Sequence, residues 1–143
     1  MLTTRTLIID DEVEFSQTLA ERLTMRGLKV DTAISGTEAL EKARKTTFDV
    51  VILDLVMPGM DGIETLKRLR AIKPDLQVIL LTGHGTIEKS VESLKLGALD
   101  FLEKPANLDD LLAKIGEAKD NRLLAIEREQ VKSITNIILK KGF

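Results

Sequence analysis

VVILDLVMPGMDG, at residues 50–62, is the stretch of sequence from which the fold can be inferred. Its first four residues are apolar and lead to a single carboxylate, Asp54, after which the Pro58-Gly59 pair signals a turn. An apolar run bounded by turn residues is typical of a strand buried on both faces. Asp54 is therefore predicted to lie where this strand leaves the sheet. In open α/β sheets, ligands bind at that end of the strands.

Four other segments have the pattern of a strand. Residues 28–33 alternate between apolar and polar side chains, as expected for a half-exposed edge strand, and the others are short apolar runs. The five predicted strands are residues 5–9, 28–33, 49–53, 77–81 and 98–102. Helical patterns lie between them, which predicts right-handed crossovers and a parallel sheet with helices on both faces.

Capping residues mark several of the predicted helix ends. Ser35 is followed three residues later by Glu38, which is the spacing of a capping box. Asn107 is predicted to cap the last helix, whereas Gly27 and Gly97 are predicted to end the first and fourth helices. With these bounds, the alternating strands and helices fill the chain to about residue 118.

Composition excludes several classes of protein. The chain has 143 residues, which fits one domain, and its net charge of −2 does not favour bulk binding of nucleic acid. It has no cysteine and one histidine, which excludes disulfides and sites with several thiolate or imidazole ligands. No run is apolar and long enough to span a membrane, so we expect a soluble cytoplasmic protein.

Polar side chains follow four of the predicted strands, and together they suggest one chemistry. Asp10 and Asp11 follow the first strand, Asp54 the third, Thr82 the fourth and Lys104 the fifth. Clustered carboxylates repel one another, and an all-oxygen site of this kind suits Mg²⁺. A carboxylate can act as a nucleophile towards a phosphoryl group, whose charge Mg²⁺ and a lysine would stabilise. The chemistry that these strand ends permit is therefore phosphoryl transfer to an Asp oxygen, which forms an aspartyl-phosphate.

At these positions the sequence resembles the receiver domain of response regulators in two-component signalling. The matching segments run from residue 5 to about residue 118, and they are IDDE at 9–12, LDLVMPGMDG at 53–62, LTG at 81–83 and LDFLEKP at 99–105. The resemblance implies a flavodoxin-like sheet of order 2-1-3-4-5. It divides the chain into a receiver domain, residues 1–118, and a C-terminal amphipathic helical extension, residues 119–143.

The resemblance also implies roles for individual residues. Asp54 would be the phosphoacceptor, receiving the group from a sensor histidine kinase or phosphotransfer protein. The Mg²⁺ would be held by Asp54, by the backbone carbonyl of Val56, by Asp11 directly and by Asp10 mainly through water. Lys104 would contact the phosphoryl group, and its bond to Pro105 would be cis.

Four side chains are implicated in switching and in its rate. The resemblance implies that Thr82 and Phe101 form the switch pair: the hydroxyl moves to the phosphoryl oxygen and the ring turns inward. This would alter the surface formed by helix 4, strand 5 and helix 5. His84 and Val56 flank the site in the family, and we hypothesise that they set the lifetime of the phosphoryl group. On generic grounds, His84 is more often a solvated loop residue and Phe101 a core residue.

The last 25 residues extend beyond a minimal receiver. Leu124, Val131 and Ile138 lie seven residues apart, although Glu127 interrupts the stripe. Residues 121–143 carry five basic and two acidic side chains, yet packing on the domain itself or on a partner is favoured over binding to nucleic acid. Similar receivers precede ATPase domains in nitrogen-regulator-type activators, where the extended helix links a dimer. A homodimer through this helix or through the helix 4–strand 5–helix 5 face is thus an expectation. The sequence does not separate a stand-alone regulator from a fragment.

Two other functions compete with the switch. Phosphohydrolases of the haloacid-dehalogenase type also form an aspartyl-phosphate, but they use Asp-x-Asp, and here Val56 stands where the second Asp would be. A structural dimerisation module with a vestigial receiver is the other alternative. Asp10 and Asp11 also have a purely structural interpretation as caps of the first helix, and Asp61 and Gly62 have one as turn and cap.

Overall fold

The computed structural model describes residues 3–57, 59–83 and 87–140. Strands and helices alternate throughout this part of the chain, as the sequence pattern predicts. The strands are β1 (Arg5–Ile9), β2 (Lys29–Ala33), β3 (Val50–Leu53), β4 (Gln77–Thr82) and β5 (Asp100–Glu103). The helices are α1 (Val13–Met25), α2 (Gly36–Lys45), α3 (Gly62–Ile72), α4 (Ile87–Lys95) and α5 (Leu108–Lys140).

The strands of the described residues form one parallel sheet in the order β2-β1-β3-β4-β5. The predicted flavodoxin-like fold is confirmed, and β2 is an edge strand. One face of the sheet carries a core cluster that includes Leu40 of α2 and Leu66 of α3. The other face carries a second cluster that includes Leu19 of α1 and Leu111 of α5. Because both faces are covered, β3 is buried at every residue.

Local signals in the sequence account for several helix ends. The hydroxyl of Ser35 accepts a hydrogen bond from the backbone N–H of Glu38 at 3.1 Å, so the predicted cap is confirmed. The carboxylate of Glu38 contacts Lys42. Asn107 caps α5 by accepting from two backbone N–H groups. Gly27, with a φ of +91°, lies in the left-handed region that favours glycine just beyond α1.

The predicted bounds of the fifth strand, residues 98–102, are wrong at both ends. The N–H of Ala98 donates to the carbonyl of Ser93, so Ala98 belongs to the turn that follows α4 and not to β5. Sheet pairing then continues through Glu103, which lies opposite Thr82 of β4. The sequence pattern did not locate the boundary between the end of the helix and the start of the strand, because the side chains on both sides of it are apolar.

Helix α5 continues without a break through the described part of the predicted extension. It has 33 residues and is about 50 Å long at 1.5 Å per residue. Every described residue from Glu127 onward is exposed, which shows that this half of the helix projects from the domain. No helix of the described residues is long and apolar enough to cross a membrane.

Candidate functional site

Asp54 is the first residue after β3 and lies at the carboxyl edge of the sheet. Its N–H donates to the carbonyl of Ile9 at 2.9 Å, which fixes the backbone beside β1. The residue is only 5% exposed. Its Oδ1 accepts from the N–H of Val56 at 3.1 Å and from the hydroxyl of Thr82, the last residue of β4, at 3.5 Å. The carboxylate is therefore held in one orientation, with Oδ1 facing these donors.

Lys104 brings a positive charge to the same place. Its backbone N–H donates to the carbonyl of Thr82 at 2.8 Å, so the residue is fixed directly beyond β5. Its Nζ lies 2.6 Å from Oδ2 of Asp10, 3.1 Å from Oε1 of Glu12 and 3.5 Å from Oδ2 of Asp54. The Nζ also lies 4.3 Å from the ring centroid of Phe15, which covers the ammonium group. The bond from Lys104 to Pro105 is cis, as expected.

The carboxylates at the site include one that the sequence argument did not single out. Oxygen atoms of Asp10, Glu12 and Asp54 lie within 4.8 Å of one another. Asp11, which the resemblance implies as a direct ligand, is exposed and lies outside this group. Three carboxylates that share one ammonium group leave excess negative charge at a partly buried site, which fits a divalent cation with oxygen ligands. The residues present thus fit a divalent cation such as Mg²⁺, and Asp10, Glu12 and Asp54 are the described carboxylates whose oxygen atoms lie close enough together to bind one.

Burial and ionic contacts have opposing effects on the pKa values of Lys104 and Asp10. Desolvation raises the pKa of the Asp10 carboxyl above its ordinary value, and the hydrogen bond from Lys104 offsets only part of this effect. Burial by itself would lower the pKa of Lys104, but the contacts with Asp10 and then Asp54 outweigh it, so the pKa of the lysine is raised. Lys104 is consequently a fixed positive charge at neutral pH.

The predicted switch residues lie on neighbouring strands. Thr82 is 1% exposed, and its hydroxyl is directed at Asp54. Phe101 of β5 is partly buried and packs against the core cluster that includes Leu80. The side chain of Val56 is 55% exposed beside the site. His84 lies outside the described residues.

The structural interpretation of Asp61 as a cap holds, whereas that of Asp10 and Asp11 as caps of α1 is wrong, because the N-cap of α1 is Glu12 and this helix start has no side-chain cap. Asp61 caps α3 by accepting from the N–H of Glu64 at 2.8 Å. Asp10 accepts from the N–H of Glu12 at 2.9 Å, so it organises the start of α1 as well as pairing with Lys104. Glu12 and Phe15 are the residues that sequence reasoning missed at the site. The signal for both was their position in the first turn after Asp10 and Asp11.

The sequence that carries this site matches a known protein family. The model of the response regulator receiver domain matches residues 6–116, and the chain belongs to this family. It is a receiver domain of two-component signalling. It is 41% identical over 112 residues to the transcriptional regulatory protein ZraR of Escherichia coli (strain K12). That alignment covers 78% of this chain and 25% of ZraR, so the chain spans about a quarter of the length of this relative.

Two solved structures support the same assignment. A response regulator receiver domain protein from Clostridium thermocellum has a TM-score of 0.81 at 35% identity, and the match covers 85% of this chain and 98% of that one. The receiver domain of NtrX from Brucella abortus has a TM-score of 0.77 at 32% identity, covering 80% and 98%. The similarity to ZraR and NtrX supports the expected nitrogen-regulator-like receiver.

Proposed function

We propose that this chain is a phosphorylation-activated switch in which Asp54 accepts a phosphoryl group from a sensor histidine kinase or phosphotransfer protein. The observation that carries the proposal is the orientation of one buried carboxylate. Oδ1 of Asp54 accepts from Val56 and Thr82, while Oδ2 lies on the side of Lys104. Oδ2 is therefore the oxygen placed to attack, with a positive charge beside the bond that forms.

The transfer balances as a displacement at phosphorus. A bond forms between the Asp54 oxygen and phosphorus, and the phosphorus–nitrogen bond of the donor phosphohistidine breaks, leaving its electron pair on the imidazole nitrogen. Lys104 is the side chain that pairs with the incoming phosphoryl oxygens. Mg²⁺, when bound, supplies further neutralisation of charge. The resemblance assigns the metal to Asp10, Asp11, Asp54 and the Val56 carbonyl, and Glu12 is the additional carboxylate that the geometry brings near.

The response would be a shift between two conformations. Thr82 already points its hydroxyl at the Asp54 carboxylate, and phosphorylation removes the charge of that carboxylate and places negative charge on the phosphoryl oxygens, which become the stronger acceptors. Movement of Thr82 would favour an inward position of Phe101 and change the surface of α4, β5 and α5. Phosphorylation can act only through the difference in free energy that it creates between the two states.

The switched surface would control a partner or an output domain, and a second copy of the chain is one such partner. Apolar side chains of the projecting half of α5 support a dimer through this helix, and they are Val131, Ile134, Ile137, Ile138 and Leu139, each at least 45% exposed. Dimerisation through the α4–β5–α5 face is the alternative. We propose no direct contact of this chain with nucleic acid and no activity on other substrates beyond its own phosphorylation and dephosphorylation.

The proposal is tested by incubating the chain with acetyl phosphate and Mg²⁺ and measuring intact mass. We expect one added phosphoryl group per chain, absent in Asp54→Asn and without Mg²⁺. Continuous release of phosphate would instead indicate a phosphohydrolase of the haloacid-dehalogenase type. No incorporation, together with no effect of beryllofluoride on oligomeric state, would indicate a structural dimerisation module. Sedimentation of Ile134→Asp with and without the phosphodonor then separates the two dimer surfaces.

A further inference from the structure

The ammonium group of Lys104 is closer to two other carboxylates than to the phosphoacceptor. It forms hydrogen bonds with Asp10 at 2.6 Å and with Glu12 at 3.1 Å, whereas Oδ2 of Asp54 lies 3.5 Å away. The side chain of Lys104 is only 14% exposed, so its choice of partner is limited to groups at this site. In the unphosphorylated form, Lys104 is thus held on the side of the pocket formed by the start of α1.

Glu12 differs from the other carboxylates around Lys104. Its side chain is 64% exposed, whereas those of Asp10 and Asp54 are nearly inaccessible. It occupies the N-cap position of α1 but makes no side-chain capping hydrogen bond. Its side chain is therefore not needed to begin the helix, and it can move into solvent without leaving a buried charge behind.

We propose that Glu12 is a positioning residue that competes with the phosphoryl group for Lys104. In the unphosphorylated form Glu12 holds the ammonium group by a 3.1 Å hydrogen bond, closer than its 3.5 Å contact with Asp54, and it releases Lys104 when phosphoryl oxygens arrive. Glu12 therefore lowers the affinity of the site for a phosphoryl group and favours the unphosphorylated state. This inference rests on the proposed function, since it requires that Asp54 carry the phosphoryl group.

The size of the effect follows from the exposure of the pair. A half-exposed ion pair contributes about 0.2–1 kcal/mol, which corresponds to a change of up to about fivefold in an equilibrium constant. Removing the contact destabilises only the unphosphorylated state and so tightens binding of a phosphoryl mimic. A long-range effect of charge would also tighten binding of an anion. The test must therefore distinguish loss of the direct contact between Glu12 and Lys104 from loss of a negative charge near the site.

The chain offers matched variants for this purpose. Glu12→Gln removes the charge and weakens the contact, and Glu12→Asp keeps the charge but shortens the side chain by one methylene. Glu14→Gln removes one negative charge from the exposed first turn of the same helix. Beryllofluoride affinity of the full chain is measured by isothermal titration calorimetry for each protein. The Mg²⁺ concentration is raised until the affinity no longer changes.

We expect Glu12→Gln to bind beryllofluoride about two- to fivefold more tightly than the unmodified chain. Glu12→Asp should change in the same direction, and Glu14→Gln should not change. The ¹⁵N NMR signal of the Lys104 Nζ should shift in Glu12→Gln without beryllofluoride and stay in place in Glu14→Gln, which a purely structural role would not produce.

Two results would overturn the inference while leaving the proposed function intact. In one, Glu12→Gln binds no more tightly than Glu14→Gln. In the other, Glu12→Asp behaves as the unmodified chain, so that charge alone explains the effect. If the unmodified chain binds no beryllofluoride in the presence of Mg²⁺, the proposed function itself fails, and this inference fails with it.

Discussion

Arg122 of α5 donates a hydrogen bond from Nη1 to Oδ1 of Asp49 at 2.8 Å, across 73 positions of sequence. Asp49 lies directly before β3, so the contact joins the helix to the edge of the sheet opposite the phosphoacceptor. The Nε of Arg122 also lies 3.0 Å from Oδ2 of Asp75, without the geometry of a hydrogen bond. The projecting half of α5 thus begins one turn after an ionic anchor on the domain.

This anchor predicts a loss of stability in Arg122→Met. The side chains of Arg122 and Asp49 are 15% and 17% exposed, so the variant leaves a largely buried carboxylate without this ion pair and, among the described residues, with only the hydrogen bond that Oδ2 accepts from the N–H of Arg5. We expect the free energy of unfolding to fall by about 1–3 kcal/mol, measured by urea denaturation. Arg128→Met, on the exposed part of α5, is the control and should change stability by less than about 0.5 kcal/mol. Equal effects of the two substitutions would show that the anchor contributes nothing.

A second ion pair, between Lys114 and Asp100, predicts a pH dependence. The hydrogen bond from Lys114, with Nζ 2.6 Å from Oδ2, lowers the pKa of Asp100 against the opposing effect of burial. A lowered pKa in the folded state stabilises the protein above the unfolded pKa of about 3.9, and the stabilisation is lost as the pH falls through the folded pKa.

We therefore expect Lys114→Gln to raise the pKa of Asp100, measured by NMR titration of its carboxyl carbon. The difference in unfolding free energy between this variant and the unmodified chain should disappear at acid pH, once Asp100 is protonated. Lys114→Arg should retain the lowered pKa. An unchanged titration of Asp100 in Lys114→Gln would contradict the assigned cause.

Alanine is predicted to have opposite effects at Gly62 and Gly116. Gly62 lies where α3 closely approaches the chain after β3, whereas Gly116 lies in open space on α5. A Cβ at Gly62 would lie 2.4 Å from the Cα of Leu55 and 2.8 Å from the carbonyl oxygen of Asp54. Gly62→Ala should therefore cost about 1–3 kcal/mol of stability or more, because the atoms it meets are backbone. Gly116, on α5, has nothing within 4 Å of its Cβ position, and Gly116→Ala should gain about 0.5–1 kcal/mol. Thermal unfolding of both variants decides the comparison.

The proposed metal site predicts stabilisation by Mg²⁺. At a concentration ten times its dissociation constant, the ion should raise the free energy of unfolding by about 1.4 kcal/mol. If Asp11 is a ligand, as the resemblance implies, Asp11→Asn should weaken Mg²⁺ binding at least about tenfold. Glu14→Gln serves as the control for loss of charge alone. Unchanged affinity in Asp11→Asn would transfer the ligand role to the cluster of Asp10, Glu12 and Asp54.

Removing the hydroxyl of Thr82 is predicted to impair switching without preventing phosphorylation of Asp54. Thr82→Ala retains Asp54 and Lys104, so we expect it still to bind beryllofluoride. The chemical-shift changes that the mimic causes in α4, β5 and α5 should be reduced, because the hydroxyl that links Asp54 to this surface is missing. Thr82→Ser should restore them. Full shift changes in Thr82→Ala would exclude the proposed switch residue.

The sequence by itself determined the fold class and the position of the site, and its resemblance to receiver domains implied the strand order. A buried run that ends at Asp54 and alternation of strand and helix patterns are local properties, and they persist whatever packs around them. The parallel arrangement then places Asp10, Asp54, Thr82 and Lys104 at one edge of the sheet, since the carboxyl ends of parallel strands meet there. The caps at Ser35 and Asn107 could also be predicted from the sequence, because capping depends on residues that are close in sequence.

Only the tertiary structure decided which side chains meet. Glu12 and Asp11 are adjacent in sequence, and nothing local shows that Glu12 reaches Lys104, 92 positions away, while Asp11 lies outside the cluster. The boundary between α4 and β5 also depends on tertiary structure. The N–H of Ala98 donates to Ser93 of α4, whereas the N–H of Leu99 donates to Val78 of β4. The anchoring of α5 by Arg122 and Asp49 depends on the helix crossing the base of the sheet. Such contacts depend on the distances that packing sets between elements, and a local pattern carries no information about them.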